Sequence, residues 1–212
     1  MNQAETAHDA DQFFVESSLL RAFVDEANAI RRGTADPRRV IEKIRPRFAE
    51  LLGDKTWLPA RFQEIADTSG MGRGIGTWLL YRAGDAGLAF SSLVVAPGVQ
   101  TPVHDHLAWG LVGLYAGEQE EDVFTRRDDG AREGQATLTL AERRFLRPGD
   151  LYELLPDNDI HRVRTASAVT SVSLHLLGND NGCIWRHQFV PEEARVEPFR
   201  SGYVNFTCPD AG

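Results

Sequence analysis

The spacing of hydrophobic positions along this chain changes period near residue 76. Before it, Leu19, Leu20, Phe23, Val24, Ala27 and Ile30 recur at helical intervals, which gathers them on one face. Gly33 ends that run, and Asp36-Pro37 opens the next with a capping side chain followed by a proline at the first helical position. Val40, Ile41, Ile44, Phe48, Leu51 and Leu52 form the apolar stripe of the second helix, and Pro46 within it predicts a bend or a split. Residues 58–62 predict a third, short helix. After Gly76 the pattern becomes short apolar runs separated by turn residues. It predicts strands over 77–81, 88–95, 109–115, 122–126, 136–140, 151–155, 163–165, 169–177 and 185–190, with Arg127-Asp-Asp-Gly130 as a hairpin loop. That succession suits a double-stranded β-barrel. Residues 1–70 read as a helical segment of the same domain, packed on one side, and residues 71–207 as the barrel.

Within the β region the run Gly98-Val-Gln-Thr-Pro-Val-His-Asp-His106 carries the first chemical signal. Two histidines one residue apart on a strand point to the same face, and two neutral imidazoles form half of a transition-metal site. Strand histidines are also ordinary polar residues of a solvated face, so this run alone leaves both readings open. A second segment runs from Gly149 through Pro156-Asp-Asn-Asp-Ile-His161, with a tight turn before the next strand.

The two segments resemble the paired motifs of the cupin superfamily, Gly-x5-His-x-His and Gly-x6-Pro-x-Gly-x-x-His. Asn158 stands where a glycine is usual, and asparagine tolerates the left-handed conformation of such a turn. The resemblance implies a cupin double-stranded β-barrel, or jelly roll, with His104, His106 and His161 as metal ligands. Most cupins add a glutamate a few residues after the first pair. Here Leu107, Ala108, Trp109, Gly110 and Leu111 offer no ligand, and Glu118 comes too late. Three neutral histidines leave open positions on the metal.

The stretch Pro102-Val-His-Asp-His-Leu-Ala-Trp-Gly-Leu-Val-Gly113 is similar to the thiol dioxygenases: cysteine dioxygenase and, more closely, bacterial enzymes acting on 3-mercaptopropionate and related mercapto acids. The likeness continues at Ser171-Val-Ser-Leu-His175, at Trp185-Arg-His187 and at Glu197-Pro-Phe-Arg-Ser-Gly-Tyr203, and spans about Ser18 to Tyr203. It implies Fe(II) as cofactor and the addition of both atoms of O2 to a small anionic thiol, giving a sulfinate. It also implies catalytic roles for Ser173 and His175. The family places a tyrosine two residues after that histidine, and Leu177 stands there. Tyr203, Tyr81 or Tyr115 is expected to supply the hydroxyl if one is needed. A carboxylate-bearing substrate calls for an arginine, whose planar fork binds it bidentately. Arg73, Arg82 and Arg186 are the candidates. Leu177 keeps a three-histidine oxygenase acting on a non-thiol such as a diketone in play. A non-catalytic small-molecule-binding cupin is the rival from another class.

Composition narrows the partners. The chain has 212 residues, 42% hydrophobic, with a net charge of -8. An acidic surface is unsuited to nucleic acid, and no apolar run reaches the length of a membrane span. The start lacks the basic and apolar regions of a secretion signal, so the cytoplasm is the expected location. Cys183 and Cys208 are too few to indicate a disulfide scaffold. Glu118-Gln-Glu-Glu-Asp122 reads as a solvated strand edge, and residues 1–11 and 208–212 as loose ends. His8 gets no role, His187 is expected to pack or hydrogen-bond, and Trp109 to wall the pocket or join the core.

Overall fold

The computed structural model describes residues 10–68 and 70–209; His8 lies outside them, as does most of the N-terminal tail. Helix α1 is Ser18–Arg32, capped by the Ser17 side chain and ended at Gly33, and α2 is Pro37–Gly53, capped by Asp36. Pro46 does not split α2. It sits on the exposed side, where the carbonyl that loses its amide partner can turn to water. Ala60–Gln63 forms a short 3-10 turn, with Phe62 buried.

Among the described residues all nine expected strands are present, with three more. The strands are β1 Gln12–Phe13, β2 Ile75–Arg82, β3 Ala89–Val95, β4 Val103–His104, β5 Gly110–Ala116, β6 Gln119–Arg126, β7 Leu138–Leu146, β8 Leu151–Leu154, β9 Ile160–Thr165, β10 Ser171–Leu177, β11 Arg186–Val190 and β12 Arg195–Phe199. The additions β1, β4 and β12 are too short, or too poor in apolar alternation, to signal themselves. One sheet has the order β1-β2-β3-β10-β5-β8 and the other β12-β11-β4-β9-β6-β7, with antiparallel pairing throughout. From β3 to β11 the chain changes sheet at nearly every connection, staying in one sheet only from β6 to β7. This alternation is the jelly-roll connectivity of a double-stranded β-barrel.

The helices close the outside of the first sheet. Leu20, Phe23, Val24, Ile41, Ile44, Phe48 and Leu52 share one apolar cluster with Leu80, Phe90, Val94, Leu111, Leu174 and Leu176. Gly113 marks the contact: a Cβ there would come within 2.6 Å of Leu52 Cδ2 and 2.9 Å of Phe48 Cε1. Alternation along β10 sends Val172, Leu174 and Leu176 to this cluster. Ser173, His175 and Leu177 take the opposite face, toward the second sheet.

Cys183 and Cys208 form a disulfide, so the expected loose end is tied down at Cys208; residues 210–212 lie outside the described residues. Asn205 strengthens the attachment by pairing its side chain with both the amide and the carbonyl of Leu79, at 2.9 Å each. Among the described residues no helix is long and apolar enough to cross a membrane.

Candidate metal centre

His104 lies on β4 and His161 directly opposite it on β9, as register partners. His106 falls just past the end of β4, in a loop that turns sharply at Leu107, which has a φ of 52°. The three rings still converge: their centroids are 4.8–5.0 Å apart, and one ligand nitrogen from each lies within 4.8 Å of the other two. All three are buried.

Each ring is held by its Nδ1. His104 Nδ1 donates to the Pro102 carbonyl at 2.9 Å, His106 Nδ1 to Asp159 Oδ1 at 3.0 Å, and His161 Nδ1 to Glu121 Oε1 at 2.5 Å. With Nδ1 protonated, Nε2 is left as a lone-pair donor. His161 Nε2 is buried without a hydrogen-bond partner, which leaves an acceptor desolvated unless a cation meets it. Burial, with the nearby charges of Arg186 and the other rings, holds His104 and His106 well below the ordinary imidazole pKa. Convergence, neutrality and the orphaned Nε2 together fit a divalent transition metal.

The carboxylates behind the rings were invisible in the sequence. Glu121 belongs to the acidic run read above as a solvated edge, yet it is fully buried, and Gln119 and Asp122 are buried too. Alternation on β6 turns Glu121 inward beside Val123, the register partner of His161, so glutamate and histidine meet on the diagonal. Asp159 receives the His106 ring and the Leu107 amide, and burial raises its pKa. Asn158 departs from expectation as well. Its φ is not positive; instead its side chain accepts from the Leu155 amide at 2.8 Å and donates to the Glu153 carbonyl at 2.9 Å, closing the turn by hydrogen bonds.

A cleft opens beside His104 and His106. His175 lines it, and its Nε2 is 2.9 Å from Ser173 Oγ. Burial pushes the His175 pKa down to about 3, so this ring is neutral near pH 7. Leu177, Leu93, Ala89 and Met71 make the apolar wall.

The three candidate arginines part company. Arg73 is exposed in the turn before β2 and does not line the cleft. Arg82 is buried but is neutralised by Asp180, Nε to Oδ2 at 2.7 Å. Arg186 lines the cleft and is buried; it donates to the Asp105 carbonyl at 2.5 Å, to Ser201 Oγ at 3.0 Å and to the Asn181 carbonyl at 3.4 Å. A guanidinium has five N–H donors, so two remain after these three bonds. Burial lowers its pKa only to about 10, and it stays charged.

Among the candidate tyrosines Tyr203 lines the cleft, its hydroxyl donating to Asp180 and accepting from the Gly182 amide. Tyr81 is bonded to Asn28 and Asp11 in the helical core, and Tyr115 packs against Trp57 there. His187 is held by Asp105 and is half-exposed, away from the three-histidine cluster. Trp109 packs on the helical core cluster, not on the cleft.

No family model matches the sequence. Solved structures of similar architecture include peruvianin-I, a cysteine peptidase from Thevetia peruviana latex, at 19% identity and a TM-score of 0.40, covering 60% of this chain and 78% of that one. An oxalate oxidase matches at 19% identity and TM-score 0.40, over 61% of this chain and 62% of its own. The cupin_2 domain of an XRE family transcriptional regulator from Enterobacter cloacae matches at 19% identity and TM-score 0.35, over 49% and 94%. These are likenesses of architecture. The chemistry has to be read from the site.

Proposed function

We propose that this protein is a non-haem iron thiol dioxygenase that oxidises a small carboxylate-bearing thiol to its sulfinate. The overall reaction, R–SH + O2 → R–SO2H, places both oxygen atoms on sulfur and balances without a further reductant. The observation that carries the reading is a buried arginine, Arg186, on the cleft that His104 and His106 of the three-histidine cluster also line.

His104, His106 and His161 would hold the metal through Nε2. Bound Fe(II) would supply Lewis acidity toward a thiol and redox capacity toward O2. The rest is the work of the chain. Arg186 presents its two remaining N–H groups to a carboxylate, fixing the substrate by the end that does not react. Asn181, Asp105 and Ser201 hold that guanidinium rigid. His175, braced by Ser173, offers a neutral imidazole at the wall of the cleft. Leu177, Leu93 and Met71 keep that wall dry and strengthen the polar contacts opposite. In place of a tyrosine at Leu177, the one phenol on the cleft among the described residues is that of Tyr203, and it is already committed to Asp180 and Gly182. This reading therefore runs without a free tyrosine hydroxyl.

The substrate fits 3-mercaptopropionate or mercaptosuccinate better than cysteine, because no carboxylate among the described residues lining the cleft is there to meet an ammonium group. We keep the cytoplasm as the place of the reaction; the Cys183–Cys208 bond argues the other way, since disulfides persist in oxidising compartments. The second reading, a non-thiol oxygenase, draws on the same apolar wall at Leu177. Oxygen uptake by the iron-loaded protein across a panel of mercapto acids and diketones decides between them. Sulfinate from a mercapto acid supports the thiol reading, diketone cleavage replaces it, and silence with tight binding leaves a binding module.

A further inference from the structure

Among the described residues, four of the six buried side-chain polar atoms without a hydrogen-bond partner belong to neighbouring groups: His161 Nε2, Glu121 Oε2, Arg144 Nη1 and the Tyr152 hydroxyl. These groups begin at the edge of the second sheet. Arg144 is on β7, the edge strand, directly opposite Glu121 in register. Its Nη1 stands 3.6 Å from Glu121 Oε2, close enough for attraction and too far for a hydrogen bond. Its guanidinium also lies 5.0 Å from the centre of the Tyr152 ring, and its other nitrogen is taken by Glu142.

The supports of the three ligands are unequal in charge. His104 leans on a neutral carbonyl. His106 leans on Asp159, whose oxygens also receive the His106 and Leu107 amides, so that its charge is spread over several donors. Glu121 gives one oxygen to His161 and leaves the other facing Arg144, with the neutral Tyr152 hydroxyl beside it. Its charge thus falls on one imidazole and is offset by one cation. A carboxylate on Nδ1 raises the basicity of the metal-binding nitrogen, and the cation behind it works in the opposite sense.

We infer that Arg144 is a positioning residue for the metal centre: through Glu121 it limits the negative charge delivered to His161, and so sets how tightly the site holds its metal and at what potential. The inference rests on the three-histidine metal reading. The test compares the full-length protein with Arg144→Gln, Arg144→Lys and Glu121→Gln, measuring Co(II) affinity by chelator competition and the Fe(III)/Fe(II) midpoint potential of the iron-loaded forms. Glutamine at 121 still accepts from the Nδ1–H, so a purely orienting role leaves both quantities unmoved there. The expected result is a pair of opposite shifts. Glu121→Gln weakens Co(II) binding about 10- to 100-fold and moves the potential positive. Arg144→Gln tightens binding several-fold and moves the potential negative, while Arg144→Lys, which keeps the charge, stays near the wild type and serves as the folded control. Wild-type protein that fails to bind Co(II) overturns the metal reading and this inference together. Tight wild-type binding with Arg144→Gln unchanged, or shifted in the same direction as Glu121→Gln, overturns the role of Arg144 alone.

Discussion

Asp159 holds His106 at two levels. Its Oδ1 accepts the ring Nδ1 proton at 3.0 Å, and both its oxygens receive the His106 backbone amide at 3.0 Å. The Leu107 amide adds a further bond at 2.8 Å and pins the left-handed turn that follows. One carboxylate therefore fixes both where the ligand sits and which nitrogen it presents. Removing a ligand and weakening its support should differ in degree. His161→Ala should abolish iron retention through dialysis. Asp159→Asn should keep iron at stoichiometric loading but lower affinity about 10- to 100-fold. Metal analysis after dialysis, with chelator competition, checks both; iron retained by His161→Ala would remove this histidine from the site.

Arg186→Lys keeps a positive charge in the cleft but loses the planar fork and two of its three bonds to the wall. The KM for a mercapto acid should rise about 10- to 100-fold, with a smaller change in kcat, because the lost contact binds the carboxylate equally before and during reaction. Steady-state kinetics read this directly. An unchanged KM would mean that the carboxylate is held elsewhere.

The Cys183–Cys208 bond closes a loop with a sequence separation of 25 residues, and that loop carries Ser201 and Tyr203 to the cleft. Loop-closure entropy for such a span is about 3 kcal/mol, or about 6–12 °C in Tm for a domain of this size. Cys208→Ser should lower Tm by that order. It should also raise KM, since the Gly182–Tyr203 contact is packed so closely that a Cβ at 182 would sit 2.3 Å from the ring. Equal melting of oxidised and reduced protein would contradict this.

His175 gives the metal-free protein an acid sensitivity of known sign. Burial lowers its pKa from 6.5 to about 3, so between those values the unfolded chain takes up a proton that the folded state refuses. Stability should be full above about pH 6.5 and fall as the pH drops toward 3. His175→Gln should flatten that slope. Urea unfolding across this range measures it, and identical slopes in both proteins would rule His175 out as the cause.

The sequence made the three clustered histidines legible and hid the carboxylates behind them. Helical spacing located α1 and α2 to within a residue or two, because one-sided apolar stripes and the caps at Asp36 and Gly33 agree. His104 and His161 meet because their strands pair, a long-range fact that short motifs encode only through the family likeness. Glu121 could not be found that way. A charged run reads as solvated when burial is judged by composition, and only the register of β6 against β9 shows that one of its members faces inward. Asn158 stood at a glycine position, yet it works by side-chain bonds where the usual glycine works by backbone freedom. The sequence offered Arg73, Arg82 and Arg186 without ranking them, since neither the pairing of Arg82 with Asp180 nor the place of Arg186 on the cleft is a local pattern.

The central claim is that both atoms of one O2 molecule end on a single sulfur in the cleft of His104, His106 and His161. Turnover of 3-mercaptopropionate or mercaptosuccinate by the iron-loaded protein under isotopically labelled oxygen, followed by mass spectrometry, tests it most directly. The account predicts a sulfinate carrying two labelled oxygens. A thiol left untouched, or oxidised to disulfide or to a product with one labelled oxygen or none, would contradict it.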